Sequence, residues 1–153
     1  MECDYYMSVE EGKKFEFLEH TADAKFRAYG DTLEEAFENV SEAMMNVMID
    51  TSVIEGVVTK YIELEAPDLE NLVVDWLSEI LFLFEVEEIV FGRFEVDGID
   101  KRNNSYHIAG KAIGDPIDPS KHRFDTHAKA VTYNDLKVEE GEAGWMLQVT
   151  VDT

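Results

Sequence analysis

The 153 residues include one cysteine, three prolines and thirteen basic side chains, and each scarcity removes a class of explanation. Cys3 has no second cysteine to join, so an intramolecular disulfide and a cysteine metal cluster are both excluded, which fits a reducing interior. No long apolar run exists either: the strongest, LVVDWLSEILFLF at 72–84, is interrupted by Asp75 and Glu79 and is too short to span a bilayer. The opening residues, MECDYYMSVEEGKK, carry acids where a signal peptide carries bases and lack its apolar segment. A cytoplasmic protein without membrane attachment is expected. Thirty-four acids against thirteen bases leave a net charge of −21, spread along the chain. Such a field repels phosphate backbones, so direct nucleic-acid binding is not expected, and it favours basic protein surfaces and cations.

What is present suffices for one domain. With 45% hydrophobic residues, a chain of this length buries most of one core and needs no second domain. Residues 1–12 lack periodicity and read as a flexible arm before a domain at 13–153. Phe15 and Phe17 indicate a short strand. In AKFRAYG, Ala24, Phe26, Ala28 and Gly30 alternate with Lys25, Arg27 and Tyr29, the pattern of a half-buried strand that His20-Thr21-Ala22-Asp23 leads into.

Asp31 and Glu34 have capping-box spacing, and Leu33, Ala36, Phe37, Val40, Met44, Val47 and Met48 recur at helical intervals behind them. Val57 to Leu64 reads as a strand ended by Pro67. Asp68 is the expected N-cap of a second helix whose stripe runs from Leu69 to Phe84. Strands are then expected at Ile89–Val96, Ser105–Ala112, Ala128–Val138 and Trp145–Val151, separated by turn-forming clusters. Two early helices followed by hairpins indicate an α+β domain: a mainly antiparallel sheet with both helices packed on one face.

Motifs with built-in chemistry are missing: there is no phosphate-binding glycine loop, no GxSxG, no HExxH and no EF-hand loop. What remains is His20, Asp23 and Asp31 early, His122, His127, Lys129 and Asn134 later, and Asp152 near the end. Asp23 has two readings. It is either a turn residue bonded to nearby backbone, or a ligand for a hard divalent cation, which takes carboxylate oxygens from distant chain positions. Asp152 shares that ambiguity. His20 and mid-strand His107 read first as hydrogen-bonded structural residues. The five-residue separation of His122 and His127 fits neither helical ligand spacing nor one strand face, which argues against zinc. Cys3 has no recognisable base beside it, against a catalytic thiol. Alternation gives Lys129 the face of Val131 and Tyr133, where close carboxylates would relieve an isolated ammonium. Lys129 is equally read as a solvent-facing lysine at the opening of an apolar strand.

EHTADA at 19–24, YGDTLEEAFENVSEAM at 29–44, DPSKH at 118–122 and AKAVTYNDLKV at 128–138 together resemble the archease family, from Phe15 to the end. The resemblance implies an α+β fold and a protein cofactor of the GTP-dependent RNA ligase of the RtcB type, which rejoins tRNA halves. Such a protein promotes guanylylation of the ligase's active-site histidine and does no covalent chemistry itself. By the same resemblance, Asp23 and Asp152 correspond to metal-binding aspartates, with calcium the expected cation. Thr153 would contribute a main-chain or terminal carboxylate oxygen, and Lys129 corresponds to the functional lysine, so Asp23, Lys129 and Asp152 are expected to meet in space. The chain departs from the family pattern in having His127 and Ala128 before the lysine, Asn134 after Thr-Tyr, and Thr after the final aspartate. A metal-dependent hydrolase and a general chaperone or scaffold are the alternatives from other classes.

Overall fold

The computed structural model describes residues 12–18 and 23–153. Apart from Gly12, the expected N-terminal arm lies outside the described residues, as do Cys3 and the His20-Thr21-Ala22 run. The alternating segment forms strand β2 (Ala24–Gly30), antiparallel to β1 (Phe15–Leu18). Helix α1 (Leu33–Met48) follows, then a 3-10 turn at Thr51–Val53, β3 (Val58–Ala66), α2 (Leu69–Glu87), β4 (Ile89–Arg102), β5 (Ser105–Pro116), β6 (Ala130–Gly141) and β7 (Gly144–Asp152).

The cap of α1 sits one residue later than its spacing implied. Thr32, in extended conformation, accepts the Glu35 N–H on Oγ1 at 3.1 Å, and Glu35 Oε1 accepts the Asp31 N–H at 2.6 Å. Glu34 is engaged elsewhere. Its carboxylate accepts the Ile99 N–H at 3.2 Å, and Glu38, one turn on, accepts the Val96 N–H at 2.8 Å. Those donors flank a register shift in β4 between Val96 and Gly98, where a bulge interrupts the ladder and helix side chains take the place of strand partners. At the second helix, Asp68 is the N-cap as expected, accepting the Asn71 N–H at 2.8 Å.

The α+β class, two helices with antiparallel strands, matches the element order read from the chain. The single expected sheet is instead two: β1-β2-β7-β6 and β3-β5-β4. Turn residues mark the β4–β5 and β6–β7 hairpins, but no local pattern states which hairpin joins which earlier strand. Helix α1 packs against β2 and β7 of one sheet and β4 of the other, while α2 packs against β6 and against all three strands of the second sheet. Each helix thus touches both sheets, so the helices do not lie on one face of one sheet. That position explains the width of α2's apolar surface, with Leu72, Val73, Val74, Trp76, Leu77, Ile80, Leu81, Leu83 and Phe84 all buried.

Where β2 passes into α1 the chain is tight. A Cβ on Gly30 would stand 2.3 Å from the Ala36 nitrogen, and Gly144, at φ +124°, meets the Gly30 carbonyl from the β6–β7 turn. Only glycine fits both places.

The core joins Phe26, Phe37, Met44, Met48, Trp76 and Phe91, each fully buried. At about 1.5–3 kcal/mol per large apolar side chain, this burial outweighs any single polar contact. One polar chain nevertheless crosses it. Trp76 Nε1–H donates to Ser41 Oγ at 2.8 Å, and Ser41 donates to the Phe37 carbonyl at 2.7 Å, tying α2 to α1. Ser41→Ala leaves the indole N–H unpaired in a dry interior and is expected to lower unfolding free energy by about 1–3 kcal/mol, measured by urea titration. A loss near zero would mean that the bond does not hold the helices together.

Candidate functional site

The β2–β7 ladder ends at the pair Ala24 and Val151, so the next residue on each strand is Asp23 and Asp152. On the other side of β7, Ala130 stands opposite Asp152, and the Lys129 N–H donates to the Asp152 carbonyl at 2.7 Å. Backbone register therefore brings Asp23, Lys129, Asp152 and Thr153, from three parts of the chain, to one end of the four-stranded sheet. Lys129 and Asp152 are exposed, and Asp23 and Thr153 are half-buried. Asp31 is not part of this group, since it follows the opposite end of β2.

Strand β6 begins at Ala130, two residues later than expected, and Lys129 precedes it. Alternation along β7, and carried one residue before β2 and β6, gives Asp23 and Asp152 the face of Lys25 and Thr150, and Lys129 the face of Val131. The lysine and the carboxylates thus flank the strand end from its two sides. Val131 packs against the core and the Tyr133 hydroxyl reaches Asn71 of α2, at the point where the pairing of β6 with β7 stops. Register jumps between Thr132 and Lys137, and the intervening residues bulge outward with Asp135 in the left-handed region at φ 53°.

That bulge is tied down on every side. The Tyr133 hydroxyl donates to Asn71 Oδ1 in the first turn of α2, and Lys25 Nζ meets Asp135 Oδ2, both at 2.7 Å. Gln148 Nε2 donates to the Asp135 carbonyl at 2.7 Å, and Arg27 Nε donates to Gln148 Oε1 at the same distance. Thr132 Oγ1 donates to the Thr150 carbonyl at 2.9 Å. Asn134 is exposed, with its N–H on Thr132 Oγ1.

The segment from β5 to Lys129 is anchored along its length. In DPSKH, Asp118 Oδ1 accepts from the Ser120 N–H and hydroxyl, while the His122 N–H donates to the Asp118 carbonyl at 2.7 Å. The Asp118 N–H donates back to His122 Nδ1 at 2.9 Å, which places the neutral ring's proton on Nε2, buried without a partner among the described residues. The motif is a self-bonded turn. Further on, the Asp125 N–H donates to the Met48 carbonyl, and the rings of Phe124 and His127 stack against each other and beside Phe84. His107 is a nearly buried mid-strand residue bonded to Glu63 at 2.8 Å.

Asp115 secures the start of the segment. Its buried carboxylate accepts N–H groups from Glu55, Gly56 and Val57 at 2.8, 2.7 and 3.2 Å, and Lys121 pairs with Glu55 at 2.7 Å. Burial pushes this carboxyl up, but the three N–H donors, helped by the Lys121 ammonium, outweigh it and hold it below its ordinary 3.8. Sequence inspection missed this clamp because its partners lie about sixty positions away and carry no side-chain signature.

The donors at the sheet end are oxygens, the chemistry of a hard cation. Among the described residues no three His, Cys, Asp or Glu side chains converge on one point. Among the described residues, the side chains at this sheet end offer two carboxylates.

The chain is thus an α+β domain that gathers two carboxylates and a lysine at one end of its four-stranded sheet. The family model described as the Archease protein family matches residues 15–153. Protein archease of Methanosarcina mazei is 52% identical over 142 residues, covering 93% of this chain and 97% of the relative. That of Pyrococcus furiosus is 44% identical, covering 92% and 99%. The solution structure of protein 1598 of Methanobacterium thermoautotrophicum superposes with a TM-score of 0.81 at 39% identity, covering 91% of this chain and 98% of that one. A crystal structure from Thermotoga maritima, described as an archease and possible chaperone, shares the fold at a TM-score of 0.51 and 22% identity, covering 89% and 94%. The chain belongs to the archease family. No helix among the described residues is long and apolar enough to cross a membrane.

The Asp115 clamp has a defined pH signature. A carboxyl whose folded pKa is depressed contributes stability above its unfolded pKa and loses it as pH falls through the folded value. Asp115→Asn is expected to cost about 1–3 kcal/mol at neutral pH, and the gap to the parent should narrow below about pH 4, followed by urea unfolding at stepped pH. An equal gap at pH 7 and pH 2.5 would show that charge plays no part in the clamp.

Proposed function

We propose that this chain is a protein activator of a GTP-dependent RNA ligase of the RtcB type in tRNA splicing. It promotes guanylylation of the ligase's histidine, so that the ligase turns over repeatedly, and it performs no covalent step itself. The observation that carries this reading is the convergence of Asp23, Asp152 and Lys129 at one sheet end in a member of this family. The surface charge supports it. A chain at −21 is attracted to a basic RNA channel and repelled by the RNA, so its natural target there is the protein.

Asp23 and Asp152, with the main-chain oxygen of Thr153, would hold a divalent cation, and calcium suits their flexible oxygen donors. When bound, that ion supplies a hard positive centre for phosphate oxygens. Lys129 contributes a compact ammonium at the same end. Because lysine and carboxylates lie on the two sides of the strand end, a partner group meeting that end would contact both. Lys129 thereby orients a nucleotide phosphate or the ligase's own metal-bound groups, and Asp23 and Asp152 set the charge beside it.

Guanylylation of the ligase with and without this chain is the direct test, and stimulation is expected. Asp23→Ala should weaken calcium binding, followed by titration calorimetry, and should reduce stimulation by about tenfold or more. Stability should change by only about half a kcal/mol, as at an ordinary surface position. Lys129→Ala should lower guanylylation more than it lowers docking, with Lys129→Arg rescuing poorly because a planar fork does not replace a compact ammonium. Undiminished stimulation by both alanine variants would remove the mechanism.

A further inference from the structure

Helix α2 turns most of its circumference inward, yet one ridge faces out. Asp75, Ser78, Phe82, Glu85 and Val86 are exposed along it, and Glu79 is half-buried. Phe82 and Val86, one turn apart, are 53% and 61% exposed, and they gain nothing from the core they face away from. Acids surround them. The helix carries Glu70, Asp75, Glu79, Glu85 and Glu87 and no basic residue, and Glu88 forms its C-cap in the left-handed region.

Glu85, Glu87 and Glu88 crowd the negative end of the helix dipole, where an acid typically costs about 0.3–1 kcal/mol. Lys60 meets Glu87 at 2.5 Å, but among the described residues no cation lies within salt-bridge distance of Glu79, Glu85 or Glu88. Folding alone gives no reason for this arrangement. A partner bearing bases does.

Helix α2 also holds the segment that leads to the proposed functional end. The segment that carries Lys129 is fastened to α2 at two levels, by Tyr133 on Asn71 and by the Phe124 and His127 rings at Phe84, and Lys129 lies between the two anchors. We propose that this ridge docks the chain on the ligase named in the preceding subsection, a reading on which this inference rests. Phe82 and Val86 enter an apolar slot rimmed by lysine and arginine side chains. Charge complementarity selects that occupant. A second copy of this chain would set Glu79 and Glu85 against their own equivalents across a two-fold axis, a like-charge arrangement that costs free energy.

The test is equilibrium and kinetic binding of the full chain to purified RtcB-type ligase. Phe82→Ser/Val86→Ser is expected to weaken binding about tenfold or more, as hot-spot truncations do. Glu79→Lys/Glu85→Lys should slow association at low salt, with the difference from the parent fading as the Debye length shrinks to about 3 Å at 1 M. Val53→Ser, an apolar residue 47% exposed on the 3-10 turn, should bind like the parent, and all variants should keep the parent unfolding midpoint. Parent-like binding by both ridge variants overturns the ridge and leaves the activator reading standing. A parent chain that does not bind the ligase overturns both. A parent dimer abolished by Phe82→Ser/Val86→Ser, with ligase binding intact, assigns the ridge to a second copy and overturns the proposal.

Discussion

The placement of β7 between β2 and β6 is the constraint on which the functional end depends. Its residues from Met146 to Val151 are buried in succession, on the core face and the outer face alike, as a central strand requires. Leu147, Val149 and Val151 join the core, whereas Gln148 and Thr150 turn the other way, and the Thr150 hydroxyl is buried without a partner among the described residues. Gln148 is answered by Arg27 on one side and the Asp135 carbonyl on the other, so the bulge of β6 and the charge of β2 are held by one amide. Once the ladder is in register, the positions of Asp23, Lys129 and Asp152 follow from backbone pairing. Loss of that register by one residue would turn Asp152 to the other face.

A chain so acidic has to place its carboxylates where they do least harm, and several serve as substitutes for backbone acceptors. Glu34 and Glu38 cover N–H groups freed by the bulge in β4, Asp115 covers three at the start of β3, and Thr32 with Glu35 covers the start of α1. These uses have opposite electrostatic consequences. Burial pushes the Glu38 carboxyl up, and Glu35, Glu95 and Glu34 push it further against the pull of the Val96 N–H. Its contribution is therefore greatest at low pH and falls as pH rises through its folded value, the reverse of Asp115. Acids with no such backbone role, among them Glu79 and Glu85, remain as surface charge.

The segment between β5 and β6 has little regular structure but is not loosely held. Its tight turn at Asp118–His122, its ring contacts on Phe84 and its backbone bond to Asp152 fix the direction from which Lys129 arrives. A lysine on a freely moving loop would lose much of its orienting value to rotational freedom. Here the cost of ordering is met during folding, before any partner is present.

Periodicity and caps in the sequence determined the element types and their order, because the 3.6 and 2.0 repeats are local consequences of backbone geometry. They located α2 with its Asp68 cap, the alternation at 24–30 and the hairpins at Asn103-Asn104 and Glu140-Gly141-Glu142, whereas Asp97-Gly98, expected as a turn, is the bulge inside a β4 that runs on to Arg102. The sequence also marked Asp23, Lys129 and Asp152 as candidates, through recurring short motifs. Local pattern could not reveal that the seven strands among the described residues divide into two sheets, that β6 interrupts its ladder after Thr132, or that Glu34 serves β4 while Thr32 caps α1. Each of these depends on partners distant in the chain, chosen by packing and by the need to satisfy every buried N–H. The tertiary structure alone decided that the residue after His20-Thr21-Ala22 lies beside the chain's last strand, since only the pairing of β2 with β7 brings residues 23 and 152 together.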